Sequence, residues 1–380
     1  MSTDYGGTAN ATTYSGKQFN VYIAEDDTVG TFNTSSNGDE FQRIDVEGVT
    51  LPTFSPNQEF EMRSGSGRVA EFGAMFSSSK GVDTEFTISG RLDLGCLPIF
   101  AESVLGVTSG AINEITLAAG GYEPANIAHG ASVTANDWHL TLSVYFEAPT
   151  AADSYKLAGC VCTNLALTAD MGTASGRYDY SATFKTRYTP EKAAASMTSA
   201  TAINSTNIFL SEQAYKSLEI HDMDESNGDH TSLNPLFNSI SLTFDSPAVM
   251  LGAQGTKAEP EVIARAVPEL NITMGGSVKY DTETDKLLEA HRDPGQTSYL
   301  QFYIGDYVPT NLPSSGAVFP QDITLGQNAG ATLQWIFHKA KLTSASVGSG
   351  DVASLDFECK ILDPAAATYE ILHLGVGATA

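Results

Sequence analysis

The feature that most constrains this chain is an alternating stretch from Leu157 to Pro190. Its first limb is Leu157-Ala-Gly-Cys-Val-Cys-Thr-Asn-Leu-Ala-Leu-Thr-Ala169, in which Cys160, Cys162 and then Leu165, Leu167 and Ala169 fall on alternating positions. A Met-Gly-Thr-Ala-Ser-Gly connection follows. The return limb alternates Tyr178, Tyr180, Ala182 and Phe184 with Asp179, Ser181, Thr183 and Lys185. Successive side chains of a strand point to opposite faces, so period two around a Gly-rich connection predicts a β-hairpin with one buried face. A second alternating pair stands near the C-terminus, Leu333–Leu342 and Ser354–Leu362, where Leu355, Phe357, Cys359 and Ile361 alternate with Asp356, Glu358, Lys360 and Leu362.

The segments before each hairpin repeat as well. In the first half they read as a strand over Phe41–Leu51, a long connection over Pro52–Asp83, a strand over Glu85–Leu94, a short helix over Cys96–Leu105 and a strand over Trp138–Phe146. In the second they read as a strand over Phe237–Phe244, a long connection over Asp245–Pro268, a strand broken at Gly275-Gly276 within Glu269–Tyr280, a short helix over Asp281–Arg292 and a strand over Ser298–Val308. Gly106 is placed to cap the first helix. The duplication rests on order and spacing. Residues 1–18 read as an arm, Gln18–Ala24 and Ile112–Ala118 as further strands, Glu191–Asn204 as a linker or a short helix, and the polar residues between His221 and Asn234 as a loop. With 380 residues and 34 glycines, the expectation is an all-β chain with a few short helices. It divides into residues 1–195 and 196–380, each a β-sandwich domain flanked by one helix.

Charge and motif content narrow the function. Twenty basic residues stand against 45 acidic ones, a net charge of -25 spread over both halves, which repels nucleic acid at long range and argues against a DNA-gripping protein. The four cysteines, Cys96, Cys160, Cys162 and Cys359, include no Cys-x2-Cys pair, so reduced thiols are expected and a zinc site is not. The stretch His221-Asp-Met-Asp-Glu-Ser-Asn-Gly-Asp-His230 has calcium-loop spacing at Asp222, Asp224 and Ser226, but Gly228 falls one place late and Leu233 stands where a bidentate Glu belongs. The seven histidines form no metal-spaced pair, and no nucleophile elbow, P-loop or dinucleotide fingerprint occurs. Neither an enzyme nor a cofactor is expected. No secretory leader is read at the N-terminus, and no apolar run of membrane-spanning length occurs.

The strand–helix–hairpin order, with Gly159, Cys160, Asn164, Leu165 and Leu167 in the first hairpin, Ile240-Ser-Leu-Thr-Phe244 opening the second half and Leu355–Pro364 closing it, resembles the major tail tube protein of long-tailed, siphovirus-type bacteriophages in its duplicated form. The likeness covers about residues 40–365. It implies two tandem tube β-sandwich domains, a homotrimer forming a pseudo-hexameric ring, and rings stacked into a virion tail assembled in the host cytoplasm. It also implies partners: further copies of the chain, a tape measure protein inside, terminator and distal tail proteins at the ends, and DNA passing through without specific binding. The two long connections would reach the adjacent ring, which makes Arg63, Arg68, Lys80, Lys257 and Arg265 candidate inter-ring contacts. The other function class is a β-sandwich decoration or receptor-binding module of a virion. Assembly separates the two.

Overall fold

The computed structural model describes residues 18–52, 57–60, 75–78, 83–93, 95–106, 114–118, 127–128, 141–170, 177–203, 219–224, 230–233, 237–252, 259–265, 271–282, 284–285, 287–288, 298–305, 334–348, 352–363 and 370–375. In the first half these form β1 (Asn20–Glu25), β2 (Gln42–Ile44), β3 (Gly48–Val49), β4 (Asn57–Phe60), β5 (Met75–Ser78), β6 (Thr84–Arg91), α1 (Leu97–Leu105), β7 (Glu114–Ala118), β8 (Ile127–Ala128), β9 (Leu142–Glu147), β10 (Tyr155–Asp170), β11 (Tyr178–Thr186) and β12 (Glu191–Lys192). The second half contributes β13 (Glu219–Asp224), β14 (His230–Leu233), β15 (Phe237–Asp245), β16 (Ala248–Leu251), β17 (Val262–Arg265), β18 (Asn271–Lys279), β19 (Ser298–Gly305), β20 (Gln334–Gly348), β21 (Ser354–Ile361) and β22 (Glu370–Gly375). The chain is all-β with little helix.

One antiparallel sheet runs through both halves in the order β3-β6-β11-β10-β15-β18-β21-β20. Its apolar face is built by the alternation read from the sequence: β11 and β21 bury every second residue. Against that face pack α1 and a smaller sheet of β1, β2, β9 and the start of β10, with Phe86 and Phe146 in edge contact at 5.5 Å and Phe100 against Phe184 at 5.7 Å. The core is continuous from Val21 in the first half to Ile361 in the second. Apart from the separate β4–β5 ribbon and β16–β17–β8 sheet, the strands belong to one hydrogen-bonded network, whose pairings form a branched path that does not return on itself among the described residues.

The pairing scheme itself is duplicated. β1 pairs β9 and β13 pairs β19; β9 pairs β10 and β19 pairs β20; β6 pairs β11 and β18 pairs β21; β3 pairs β6 and β15 pairs β18. The two closing hairpins match residue by residue. Each carries one extra residue, Thr163 in β10 and Thr343 in β20, at a shift in register. The bulged threonine hydroxyl donates to the facing backbone in both cases, to the Thr183 carbonyl at 3.2 Å and the Glu358 carbonyl at 3.0 Å. The long connections match too, each a short antiparallel ribbon, β4–β5 and β16–β17.

Several elements differ from the sequence reading. The strand expected over Phe41–Leu51 is split into β2 and β3. The break expected at Gly275-Gly276 is absent: β18 runs straight through, since both glycines sit opposite β15 and β21, and a Cβ on Gly276 would approach the Ser239 carbonyl to 2.7 Å. Part of the loop after His221 is a hairpin, β13–β14, which carries Asp222 and Asp224 in strand conformation. Of the expected linker, residues 191–203 are strapped over the smaller sheet, with the Ala195 amide donating to the Tyr145 hydroxyl at 3.0 Å and the Arg43 amide to the Thr201 carbonyl at 2.9 Å. This strap explains why β1 and β9 are buried on both faces instead of alternating. Of the second helix, Asp285, Leu287 and Leu288 have helical backbone, with both leucines buried. β22, which the sequence did not reveal, joins β20 to β7. Residues 1–17 and Trp138 lie outside the described residues.

Candidate assembly surfaces and the buried Asp26 node

The face of the main sheet opposite the core is rich in small polar residues. On β6 it presents Thr87 and Ser89, on β11 Ser181 and Thr183, on β15 Ser241 and Thr243, and on β18 Thr273, each at a position between buried neighbours, with Ser277 of β18 beside buried Val278. Thr87 and Thr183 meet across the strands at 3.1 Å. At the ends of β6 and β11 the charges pair: Lys185 and Arg187 hold Asp83 at 2.8 and 2.6 Å, and Arg177 bridges Asp179 and Glu47 at 2.9 Å each; β21 instead turns Asp356, Glu358 and Lys360 outward along its length. Around β6, β11, β15 and β18 this surface offers hydroxyls and paired charge, whereas on β20 and β21 Lys341 and Lys360 stand opposite each other.

The sheet bends where β10 passes from the smaller sheet to the main one. Gly159 makes that bend with a φ of 60°, in the left-handed region where a Cβ is disfavoured. A Cβ there would also lie 2.2 Å from the Tyr188 ring, which packs equally close to Gly30, another glycine with positive φ. Both glycine amides converge on one buried carboxylate. Asp26 accepts from Gly159 N–H at 2.8 Å, from Gly30 N–H at 3.3 Å and from the Ser143 hydroxyl at 2.6 Å. Burial raises its pKa to about 6 against these hydrogen bonds, which favour the charged form. Asp26 thus ties β1, β9 and the kink of β10 together. In the sequence it was one acid among many; the only hint was the glycine ahead of the Cys-Val-Cys alternation.

Of the candidate inter-ring cations, Arg63, Arg68, Lys80 and Lys257 lie outside the described residues. Arg265 lies on β17 and is 8% exposed. Its guanidinium donates to the Ser246 carbonyl at 2.6 Å and hydroxyl at 2.9 Å, to the Cys162 carbonyl at 2.7 Å and to the Ser103 carbonyl near the end of α1. Its donors are directed into its own chain. Planar, forked donors suit this use, reaching three backbone segments at once. Lys185 and Arg187 add bonds to the Ala248 and Gly252 carbonyls, and Ala248, Met250 and Ile263 pack on Val29, Val161 and Tyr188. The β16–β17 ribbon of the second half is therefore latched onto the first half, where it also pairs β8. Val249 and Leu251 point away from this contact and are exposed.

All four cysteines are free and buried, and burial pushes the Cys162 thiol up to about 12. Among the described residues no group of His, Cys, Asp and Glu is arranged to hold a metal ion, and no helix is long and apolar enough to cross a membrane. No protein-family model matches the chain, and no curated protein matches it in sequence.

Proposed function

We propose that the chain is the structural subunit of a virion tail tube of the long-tailed phage type, assembling as rings that stack into a conduit for DNA. The observation that carries this reading is the β10–β15 pairing. It joins two equivalent strand sets edge to edge into one sheet, so the chain already contains one joint of a larger wall. Three such chains in a ring would place six equivalent units around a channel, and sheet closure between subunits covers the open edges that would otherwise template aggregation. The Ser/Thr-rich face suits a lumen, since a wall of hydroxyls lets a polyanion slide where a basic wall would bind it at each phosphate. Further copies are the principal partner, with a tape measure protein inside and terminator and distal tail proteins at the ends.

Negative-stain images of the purified protein at increasing concentration test this directly. Rings or tubes with a central channel are expected. Compact monomers at all concentrations would refute the tube and favour the decoration or receptor-binding class.

A further inference from the structure

The internal joint predicts the external one. In β10–β15 the pairs run Asn164↔Asp245, Leu165↔Phe244, Ala166↔Thr243, Leu167↔Leu242 and Thr168↔Ser241. The position equivalent to each partner is fixed by the duplicated pairings. Thr163 and Thr343 are the matching bulges, so Val347, four residues on, occupies the place of Leu167. Thr183 and Glu358 accept from those threonines and pair with Thr87 and Gly275 respectively. Two residues further along, Ser89 and Ser277 pair with Gly48 and Ser239. Three residues beyond those stand Leu51 and Leu242.

Both counterparts are open edges among the described residues. Among the described residues, β21 is the only strand paired with Ser344–Gly348, and β6 the only one paired with β3. The Thr50 amide donates to the Thr87 carbonyl at 3.0 Å, and strand geometry then turns the Val49 and Leu51 amides toward the free edge. Burial tells the same story. Leu167 and Leu242 are 2% and 5% exposed inside the joint, whereas Val347, in the place of Leu167, is 46% exposed. Leu51 packs on the core and is half-buried. A valine on the core side of a sheet edge, exposed for want of a neighbouring strand, marks an unfinished interface.

We propose that the β20 edge of one chain pairs antiparallel with the Gly48–Leu51 edge of a second copy, in the register that sets Val347 opposite Leu51. Gly348 then stands opposite Thr50, and the contact merges the cores of the two copies as Leu167 and Leu242 merge the two halves. The contact is heterologous, so repetition gives a ring if the rotation closes and a filament if it does not. Closure at three chains rests on the tube reading; the pairing and its register do not.

The test is cross-linking in the full-length protein. The native thiols are buried, so a short bis-maleimide addresses introduced cysteines. Leu51→Cys with Val347→Cys should yield covalent dimers and trimers. Thr50→Cys with Val347→Cys should yield few, because adjacent strand residues face opposite sides of the sheet. Independently, Val347→Lys should weaken self-association by more than about tenfold in sedimentation, through a charge held in an apolar joint, with an unchanged melting temperature. Rings without the Leu51–Val347 cross-link, or unimpaired association of the lysine variant, would overturn the proposed edge while leaving the tube standing. A cross-link in filaments that never close would keep the edge and overturn the ring. No association at any concentration would overturn both.

Discussion

Replacing Asp26 by Asn should flatten the pH dependence of stability, and the structure sets the size of the effect. The carboxyl is fully buried, and its pKa rises from 3.8 to about 6, burial being the largest cause. An acid whose pKa rises on folding holds its proton more tightly in the native state, so its contribution is fully present below pH 3.8 and lost as pH rises through about 6. A displacement of about two units corresponds to about 3 kcal/mol, with a steepest slope near 1.4 kcal/mol per pH unit around pH 5. Asn retains the shape: its oxygen accepts from the Gly159 and Gly30 amides, while its amide donates to the Ser143 oxygen, which already accepts from the Asn33 amide at 2.9 Å. Urea unfolding of both proteins from pH 4 to pH 7 measures the difference. The stability of the parent relative to the variant should fall by about 2.4 kcal/mol across that range, the remainder of the displacement lying below pH 4. Curves that stay parallel would refute the argument, because they would mean that Asp26 ionises in the folded protein as easily as in the unfolded chain.

Gly159→Ala forces a Cβ into left-handed backbone and against the Tyr188 ring, and should cost about 2–5 kcal/mol by chemical denaturation. Combined with Tyr188→Ala the two changes should be non-additive; additivity within about 0.5 kcal/mol would show that the ring is not the obstacle. Arg265→Met strips donors from the Ser246, Ser103 and Cys162 carbonyls and should destabilise by about 3 kcal/mol, with new protease cleavage between Leu251 and Val262. A methionine variant as stable and as resistant as the parent would exclude the latch.

Much of the fold was legible because its determinants are local. β10, β11, β15 and β21 announce themselves by period two, and α1 by its apolar run ending at Gly106, which takes the left-handed cap conformation at a φ of 65°. Where local pattern weakens, the reading failed. Pro52–Asp83 and Asp245–Pro268 read as connections although each contains a paired ribbon, because strands of four residues carry too few alternations to stand out. β1 and β9 were legible as strands, but the burial of their outer faces was not, because a strap covers them and no strand can report on what another segment will lay over it.

The β class, the repeated order of elements and the apolar face of each long strand are set locally, since side-chain alternation and turn chemistry act between near neighbours. What those faces and edges meet is set by the folded chain as a whole. The tertiary structure turned Arg265 from a candidate outward contact into an internal latch, raised Asp26 from an ordinary acid to a buried junction, and joined β10 to β15 while leaving Val347 and Leu51 at open edges. Each of these depends on residues brought together from distant parts of the chain, where desolvation and hydrogen-bond partners are set by packing that no local pattern encodes.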